Sequence, residues 1–144
     1  MQYETKQFEK FKFIEEGEGE PLVLLHGLFG ALSNFQHLIE HFKHTHKVVV
    51  PMLPMFELDL LHTSVGGFAK YIHKFLEKKG YINYHLLGNS LGGHIALVHI
   101  LKHPENVSSL ILTGSSGLYE SGMGDSYPRR GDYEYIKKKT EVTP

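Results

Sequence analysis

Residues 86–93 read LLGNSLGG, and this stretch decides the fold because a serine stands between small residues directly after an apolar run. The segment Gly88–Gly92 fits the pattern G-x-S-x-G, in which a serine is displayed on a sharp turn between a strand and a helix. Such a turn strains the serine backbone, and the residues two places before and after crowd it unless they lack side chains. Gly88 and Gly92 meet that need. We therefore predict that Ser90 lies on a strand-to-helix turn and is a candidate nucleophile.

Strands and helices alternate around this turn. Short apolar runs predict buried strands at Leu22–Leu25, Lys47–Pro51, Tyr84–Leu87 and Val107–Thr113. Unbroken hydrophobicity of this kind is typical of parallel strands that are covered on both faces. Apolar residues with helical spacing predict helices near 35–42, 64–79 and 95–101. The predicted fold class is α/β, a mostly parallel sheet with helices on both faces.

The two ends of the chain differ from this pattern. Lys10–Ile14 alternates and is followed by the polar stretch EEGEGE, which predicts an edge strand and a hairpin-like connection. After Thr113 the chain becomes rich in Gly, Ser and Tyr, with one short helical candidate at 132–140. We therefore divide the chain into a core, 1–113, and a loop with the start of a lid or cap region, 114–144.

Composition excludes several classes of function. The formal net charge is -1 over 144 residues with both signs interspersed, so neither a nucleic-acid nor a membrane partner is predicted. The chain has no cysteine, which excludes disulfide, thiolate and Fe–S chemistry. Its start lacks the pattern of a targeting segment, and no apolar run approaches the roughly 18 residues of a membrane span. We expect a cytoplasmic protein that binds a small molecule.

Two charged clusters invite other interpretations. His41, His44 and His46 lie near a predicted helix end without a carboxylate at ligand spacing, so we interpret them as helix-end cations or a solvated face. No metal and no cofactor is expected. Arg129, Arg130 and the run 137–139 are interpreted as a solvated part of the lid segment.

A second motif lies in the loop after an earlier strand, where a second backbone N–H donor to an oxyanion is expected. His26–Gly30 reads HGLFG directly after the strand LVLL. With both motifs in this order and spacing, the chain resembles the first half of the α/β-hydrolase fold, in its lid-bearing carboxylesterase-like branch. The resemblance implies that Ser90 is the nucleophile and that the backbone N–H groups of Leu28 and Leu91 form the oxyanion hole.

The same resemblance assigns residues that shape the site: His26, Gly27, Gly88, Asn89 and Gly92. For His26 we favour a structural role in the loop over a catalytic one. Asn89 is expected to form part of the pocket wall or to support it.

The remaining members of a catalytic triad are not evident. In this family the acid and the histidine follow the serine in the chain. The histidines after Ser90 are His94, His99 and His103, all on the helix that leads away from it. Asp125 is the one candidate acid that we consider. We therefore expect the chain to be the front portion of a larger hydrolase, truncated at the start of the lid and nearly inactive alone.

The predicted function is a serine hydrolase that cleaves a carboxylic ester or related acyl substrate through an acyl-enzyme on Ser90. Hydrolysis of a C–C bond in a dienoic ring-cleavage product is an alternative on the same scaffold. A non-catalytic small-molecule binder is a second alternative. A third is an assembly in which the chain self-associates or a complementing chain supplies the back half of the fold.

Overall fold

The computed structural model describes residues 3–27, 34–55 and 64–118. The elements in these ranges are β1 (Lys6–Phe8), β2 (Phe11–Glu16), β3 (Pro21–Leu25), α1 (Gln36–Phe42), β4 (Lys47–Pro51), α2 (Val65–Lys78), β5 (Tyr84–Asn89), α3 (Leu91–Lys102) and β6 (Val107–Thr113). The strands form one sheet in the order β1-β2-β4-β3-β5-β6. β3 to β6 are parallel, whereas β2 is antiparallel to both of its neighbours. The predicted α/β class with a mostly parallel sheet is confirmed.

The side chains of β3 alternate between two hydrophobic cores, which explains why its sequence is apolar without a break. Leu22 and Leu24 pack in the core beneath α1 on one face of the sheet. Val23 and Leu25 pack in the core beneath α2 and α3 on the other face. Helices therefore cover both faces, as predicted. No helix in the described ranges is long and apolar enough to cross a membrane.

The predicted edge strand is wrong in its position. β2 begins at Phe11 and pairs with β1 on one side and β4 on the other, so β1 is the edge. The polar stretch 15–20 closes no hairpin, because β3 pairs with β4 and β5 instead of β2. β1 escaped prediction because all three of its residues are exposed and only its backbone hydrogen bonds define it.

Capping groups fix both ends of α2. The Ser64 side chain accepts a hydrogen bond from the Gly67 N–H at 3.0 Å at the first turn. At the other end Gly80 adopts a φ of 68°, a conformation that glycine allows at little cost. The Tyr81 N–H then donates to the Leu76 carbonyl at 3.0 Å, which ends the helix in a Schellman motif. The predicted helix over 64–79 is confirmed to within a residue at each end.

This helix end places the hydroxyl of Tyr81 against the carboxylate of Glu15 on β2. Burial alone raises the pKa of Glu15, but the Tyr81 hydrogen bond and the nearby charges of Lys79 and Lys6 outweigh it and lower the pKa. Lys79 Nζ lies 3.6 Å from the carboxylate. The contact therefore joins the end of α2 to the antiparallel part of the sheet by a charge-assisted hydrogen bond.

Tyr81→Phe is expected to lower the free energy of unfolding by about 1 kcal/mol at pH 7, because it removes this hydrogen bond from a partly exposed site. A carboxyl group whose folded-state pKa is lowered stabilises the fold above its unfolded-state pKa, and that stabilisation is lost as the pH falls through the folded-state value. The difference between wild type and variant should therefore shrink by pH 3. Urea unfolding at both pH values measures it, with Glu15→Gln as a reference that lacks the charge. An equal difference at pH 7 and pH 3 would assign the loss to packing.

Candidate functional site

Ser90 is the single residue between the end of β5 and the start of α3. Its φ of 54° and ψ of -117° lie in a region that non-glycine residues rarely adopt. A backbone strained in this way persists only where its surroundings hold it. The side chain is exposed, and no hydrogen bond joins its Oγ to the residues that the structure describes. The serine is thus displayed on a sharp strand-to-helix turn.

Gly88 and Gly92 are required for a different reason from the one predicted. A Cβ at Gly92 would lie 2.0 Å from the Leu25 carbonyl oxygen, and a Cβ at Gly88 would lie 2.5 Å from the carbonyl oxygen of Gly92. Neither position has Ser90 among its nearest neighbours. The two glycines therefore allow the first turn of α3 to approach the ends of β3 and β5, rather than relieve crowding at the serine.

The last residue of β6 and the segment after it hold the strained Ser90 backbone in place. The Ser90 N–H donates to the Thr113 carbonyl at 3.1 Å, and the Ser116 N–H donates to the Ser90 carbonyl at 3.1 Å. The Thr113 hydroxyl also donates to the Asn89 side-chain oxygen at 3.2 Å. Sequence reasoning missed Thr113 and Ser116, since hydrogen bonds of a backbone leave no local pattern. The one available signal was the run GSSG after the strand.

One of the two predicted oxyanion donors, the Leu91 N–H, lies among the described residues. Leu91 is the first residue of α3, and its N–H finds no acceptor among the described residues. First-turn N–H groups lack helical partners, and the positive end of the helix dipole adds to their attraction for negative charge. Leu28, the other predicted donor, lies outside the described residues. The helix N-terminus thus offers one donor directly after the serine.

The loop after β3 faces the serine. A Cβ at Gly27 would lie 3.1 Å from Ser90 Cβ and 3.6 Å from its Oγ. His26 Nε2 accepts a hydrogen bond from the Leu53 N–H at 3.2 Å, so the ring proton lies on Nδ1, which is 2.8 Å from the Gly27 carbonyl oxygen. Both ring nitrogens are therefore engaged by backbone groups. This is the structural role that we favoured for His26, and it ties the loop to the segment after β4.

The three histidines after Ser90 lie on α3 or at its end and do not contact the serine hydroxyl. His94 donates its backbone N–H to the Ser90 carbonyl at 3.3 Å, which is helix geometry and not catalysis. His99 is fully buried with its Nε2 2.7 Å from the Tyr84 hydroxyl. Asp125 lies outside the described residues, as does the rest of the predicted lid segment from residue 119 onward. The base that would activate Ser90 is thus not among the described side chains.

The histidines near the end of α1 pack against a shared aromatic ring: His41 and His46 both meet the ring of Phe42 edge-on, with centroid distances of 4.8 and 5.6 Å. His41 lies in the last turn of α1, and His46 Nδ1 lies 2.8 Å from the Thr45 hydroxyl. Across the described ranges, no group of three or more His, Asp or Glu side chains is arranged to hold a metal ion.

Comparisons with known proteins agree with this geometry. A family model described as the alpha/beta hydrolase fold matches residues 20–141. Lipase 1 of Psychrobacter immobilis is 32% identical over 125 residues, which are 82% of this chain and 39% of that protein. Monoacylglycerol lipase abhd6-B of Xenopus laevis is 32% identical over 130 residues, 82% of this chain and 38% of that protein. The chain thus spans about two fifths of the length of these curated relatives.

A solved structure extends the comparison. The α/β hydrolase enzyme MGS-MChE2, from a metagenome of sediments of the Mar Chica lagoon in Morocco, is 53% identical. Its TM-score is 0.77, and the match covers 81% of this chain and 54% of that chain. Sequence and structure therefore lead to the same family.

Proposed function

Because the chain belongs to the α/β-hydrolase fold family, we propose that it carries the nucleophile of a serine hydrolase that cleaves a carboxylic ester or a related acyl compound. The observation that carries the proposal is the strained backbone of Ser90, with φ of 54°, at the N-terminus of a helix. Two of its relatives are named as lipases, which supports an ester in preference to other acyl compounds.

The proposed reaction has two steps. Ser90 Oγ attacks the carbonyl carbon of the ester, and the carbonyl oxygen becomes an oxyanion that accepts hydrogen bonds from the N–H groups of Leu91 and Leu28. Collapse of this intermediate releases the alcohol, which takes up a proton, and leaves an acyl group on Ser90. Water then attacks the acyl-enzyme, releases the carboxylic acid and restores the serine.

A base must take the serine proton, and we propose that it lies outside the described residues. His26 is occupied on both ring nitrogens, and His99 is buried beside Tyr84. Loss of triad partners leaves only the residual catalysis that depends on the oxyanion hole and on binding, so a chain without the base should be about 10⁴-fold or more slower than a complete enzyme. In this proposal Gly27, Gly88, Asn89 and Gly92 shape the pocket, while Thr113 and Ser116 hold the nucleophile.

The test is the intact mass of the protein after exposure to a fluorophosphonate, whose phosphorus bonds to an activated serine oxygen as fluoride leaves. We expect one adduct that is lost in Ser90→Ala. Ser109→Ala is the control, because Ser109 Oγ lies 2.7 Å from His85 Nδ1 but stands within strand β6 instead of on a sharp turn.

An adduct that persists in Ser90→Ala, or that disappears in Ser109→Ala, would overturn the assignment of Ser90. The absence of an adduct would overturn the proposed hydrolase and favour the alternative of a non-catalytic binder.

A further inference from the structure

A basic groove lies between α2 and α3. It has a volume of about 350 Å³, and both helices line it. Its charged and titratable lining comprises three lysines, three histidines and one glutamate: Lys70, Lys74, Lys102, His73, His99, His103 and Glu77. α3 is 12 residues long, so at about 1.5 Å per residue the end that lines the groove is about 18 Å from the end beside Ser90. The groove is therefore separate from the site described above.

The lysines of the groove have no carboxylate partner among the described residues. Lys70 and Lys74 are four residues apart on α2 and share one face of it, and Lys102 approaches from α3. In the part of the chain that the structure describes, no carboxylate lies within ion-pairing distance of these three lysines. Lys78, one turn further along α2, instead has Glu9 at 2.6 Å. Three like charges held together repel one another, and a bound anion would relieve that repulsion.

Two stacked imidazoles form one wall of the groove. The rings of His73 and His103 are parallel to within 6°, with their centroids 3.4 Å apart. The ring of His99 lies 5.8 Å from the first and 5.6 Å from the second. The stacked pair thus places two imidazoles, each able to donate a hydrogen bond from a ring N–H, in the same lining as the three lysines.

Other groups around the stack set the balance of charge. Glu77 lies on α2 at the groove, Glu105 Oε1 lies 3.9 Å from His103 Nδ1 just after α3, and the Tyr84 hydroxyl of β5 contacts His99. Burial, followed by the charges of His103 and His73, lowers the pKa of His99 to about 4. His99 Nδ1 is buried without a hydrogen-bond partner in the described part of the chain. The lining of the groove as a whole therefore carries three lysines against one glutamate, which leaves it basic.

We propose that the groove between α2 and α3 binds a small tetrahedral dianion, a phosphate or sulfate group, through Lys70, Lys74, Lys102 and the stacked pair His73 and His103. The group belongs either to a free ion or to a phospholipid headgroup. The proposal does not depend on the reaction at Ser90. A metal ion does not fit, because three lysines line the groove and, among the described residues, no group of three or more His, Asp or Glu side chains is arranged to hold one.

The test is a titration of the 144-residue chain with inorganic sulfate, followed by amide chemical shifts and by calorimetry at pH 6 and pH 8. Sulfate is the probe because its charge does not change over this range. We expect saturable binding at low ionic strength that weakens as salt is added, with the largest shifts in α2 and the end of α3. The double variant Lys74→Gln/Lys102→Gln should weaken binding at least tenfold, because it removes two of the three cations.

Lys43→Gln is the matched control, since this lysine follows α1 on the opposite face of the sheet. Circular dichroism checks that each variant is folded. The proposal is overturned by the absence of saturable binding at pH 6, by an unchanged affinity in the double variant, or by an equal loss in Lys43→Gln.

Vesicles distinguish the two sources of the anion. Sulfate binding together with binding to phosphatidylcholine vesicles that contain phosphatidic acid, both lost in the double variant, supports a lipid headgroup. Sulfate binding without vesicle binding supports a free ion. If the wild-type protein does not bind sulfate and the double variant still binds vesicles, the groove is not the anion site.

Discussion

Gly92→Ala is expected to lower the free energy of unfolding by more than about 3 kcal/mol. The new Cβ would lie 2.0 Å from the Leu25 carbonyl oxygen and 2.7 Å from that of His26. Both neighbours are backbone atoms at the end of β3, in the middle of the parallel sheet, so no side-chain rotation can relieve the contact. The first turn of α3 must therefore move away from the sheet. We expect poor soluble yield and a much lower midpoint in urea unfolding.

Gly66→Ala is the matched control, because it makes the same chemical change in a helix with open space. At Gly66 the nearest atom to an added Cβ is Ser64 Oγ at 4.0 Å. Alanine at this helical position should stabilise the protein by about 0.5 to 1 kcal/mol, since it restricts the unfolded chain. If the free energy of unfolding of Gly92→Ala lies within about 1 kcal/mol of the wild-type value, the interpretation of the turn is wrong.

His99→Gln is expected to remove a large part of the acid sensitivity of the fold. The pKa of His99 falls from 6.5 to about 4 in the folded protein, first because of burial and then because of repulsion by His103 and His73. The unfolded chain therefore binds this proton more readily than the folded one, and stability is lost as the pH falls below 6.5 and levels off below about 4. That loss amounts to about 2 to 3 kcal/mol for a shift of this size.

Urea unfolding of wild type and variant at several pH values between 7.5 and 4 measures this effect. Glutamine does not titrate, so the stability of His99→Gln should fall by about 2 to 3 kcal/mol less over this range, whatever the variant costs at pH 7.5. His37→Gln is the control, since it makes the same substitution at an exposed residue of α1. Parallel curves for wild type and His99→Gln would show that another group causes the acid sensitivity.

Much of the fold follows from local patterns. Residues 22–25 are apolar without a break because their side chains enter two cores, and α2 is defined by its helical period, the Ser64 cap and Gly80. The turn at Ser90 was predicted from two glycines and an apolar run. These features are local because burial, helical period and backbone conformation each constrain residues that are close in sequence.

Other features depend on neighbours that are distant in the chain. The exposed strand β1 has no hydrophobic pattern, and the position of β4 between β2 and β3 follows from long-range pairing. The helix that begins at the serine was predicted, but Leu101 on it is 82% exposed whereas His99 is fully buried. From polarity alone, Leu101 would be expected to be buried and His99 exposed. Polarity carries no information about which face of α3 meets α2 and β5.

The sequence by itself determined the α/β class, the order of the elements from β2 onward and the turn that carries the candidate nucleophile Ser90, because each of these follows from short-range constraints on the chain. Only the tertiary structure decided why Gly92 is needed, which backbone groups hold Ser90, and where unpaired lysines and stacked histidines meet. Those answers depend on the Leu25 carbonyl, on Thr113 and Ser116, and on the packing of α2 against α3. Such contacts join residues that are far apart in sequence, so no local pattern encodes them.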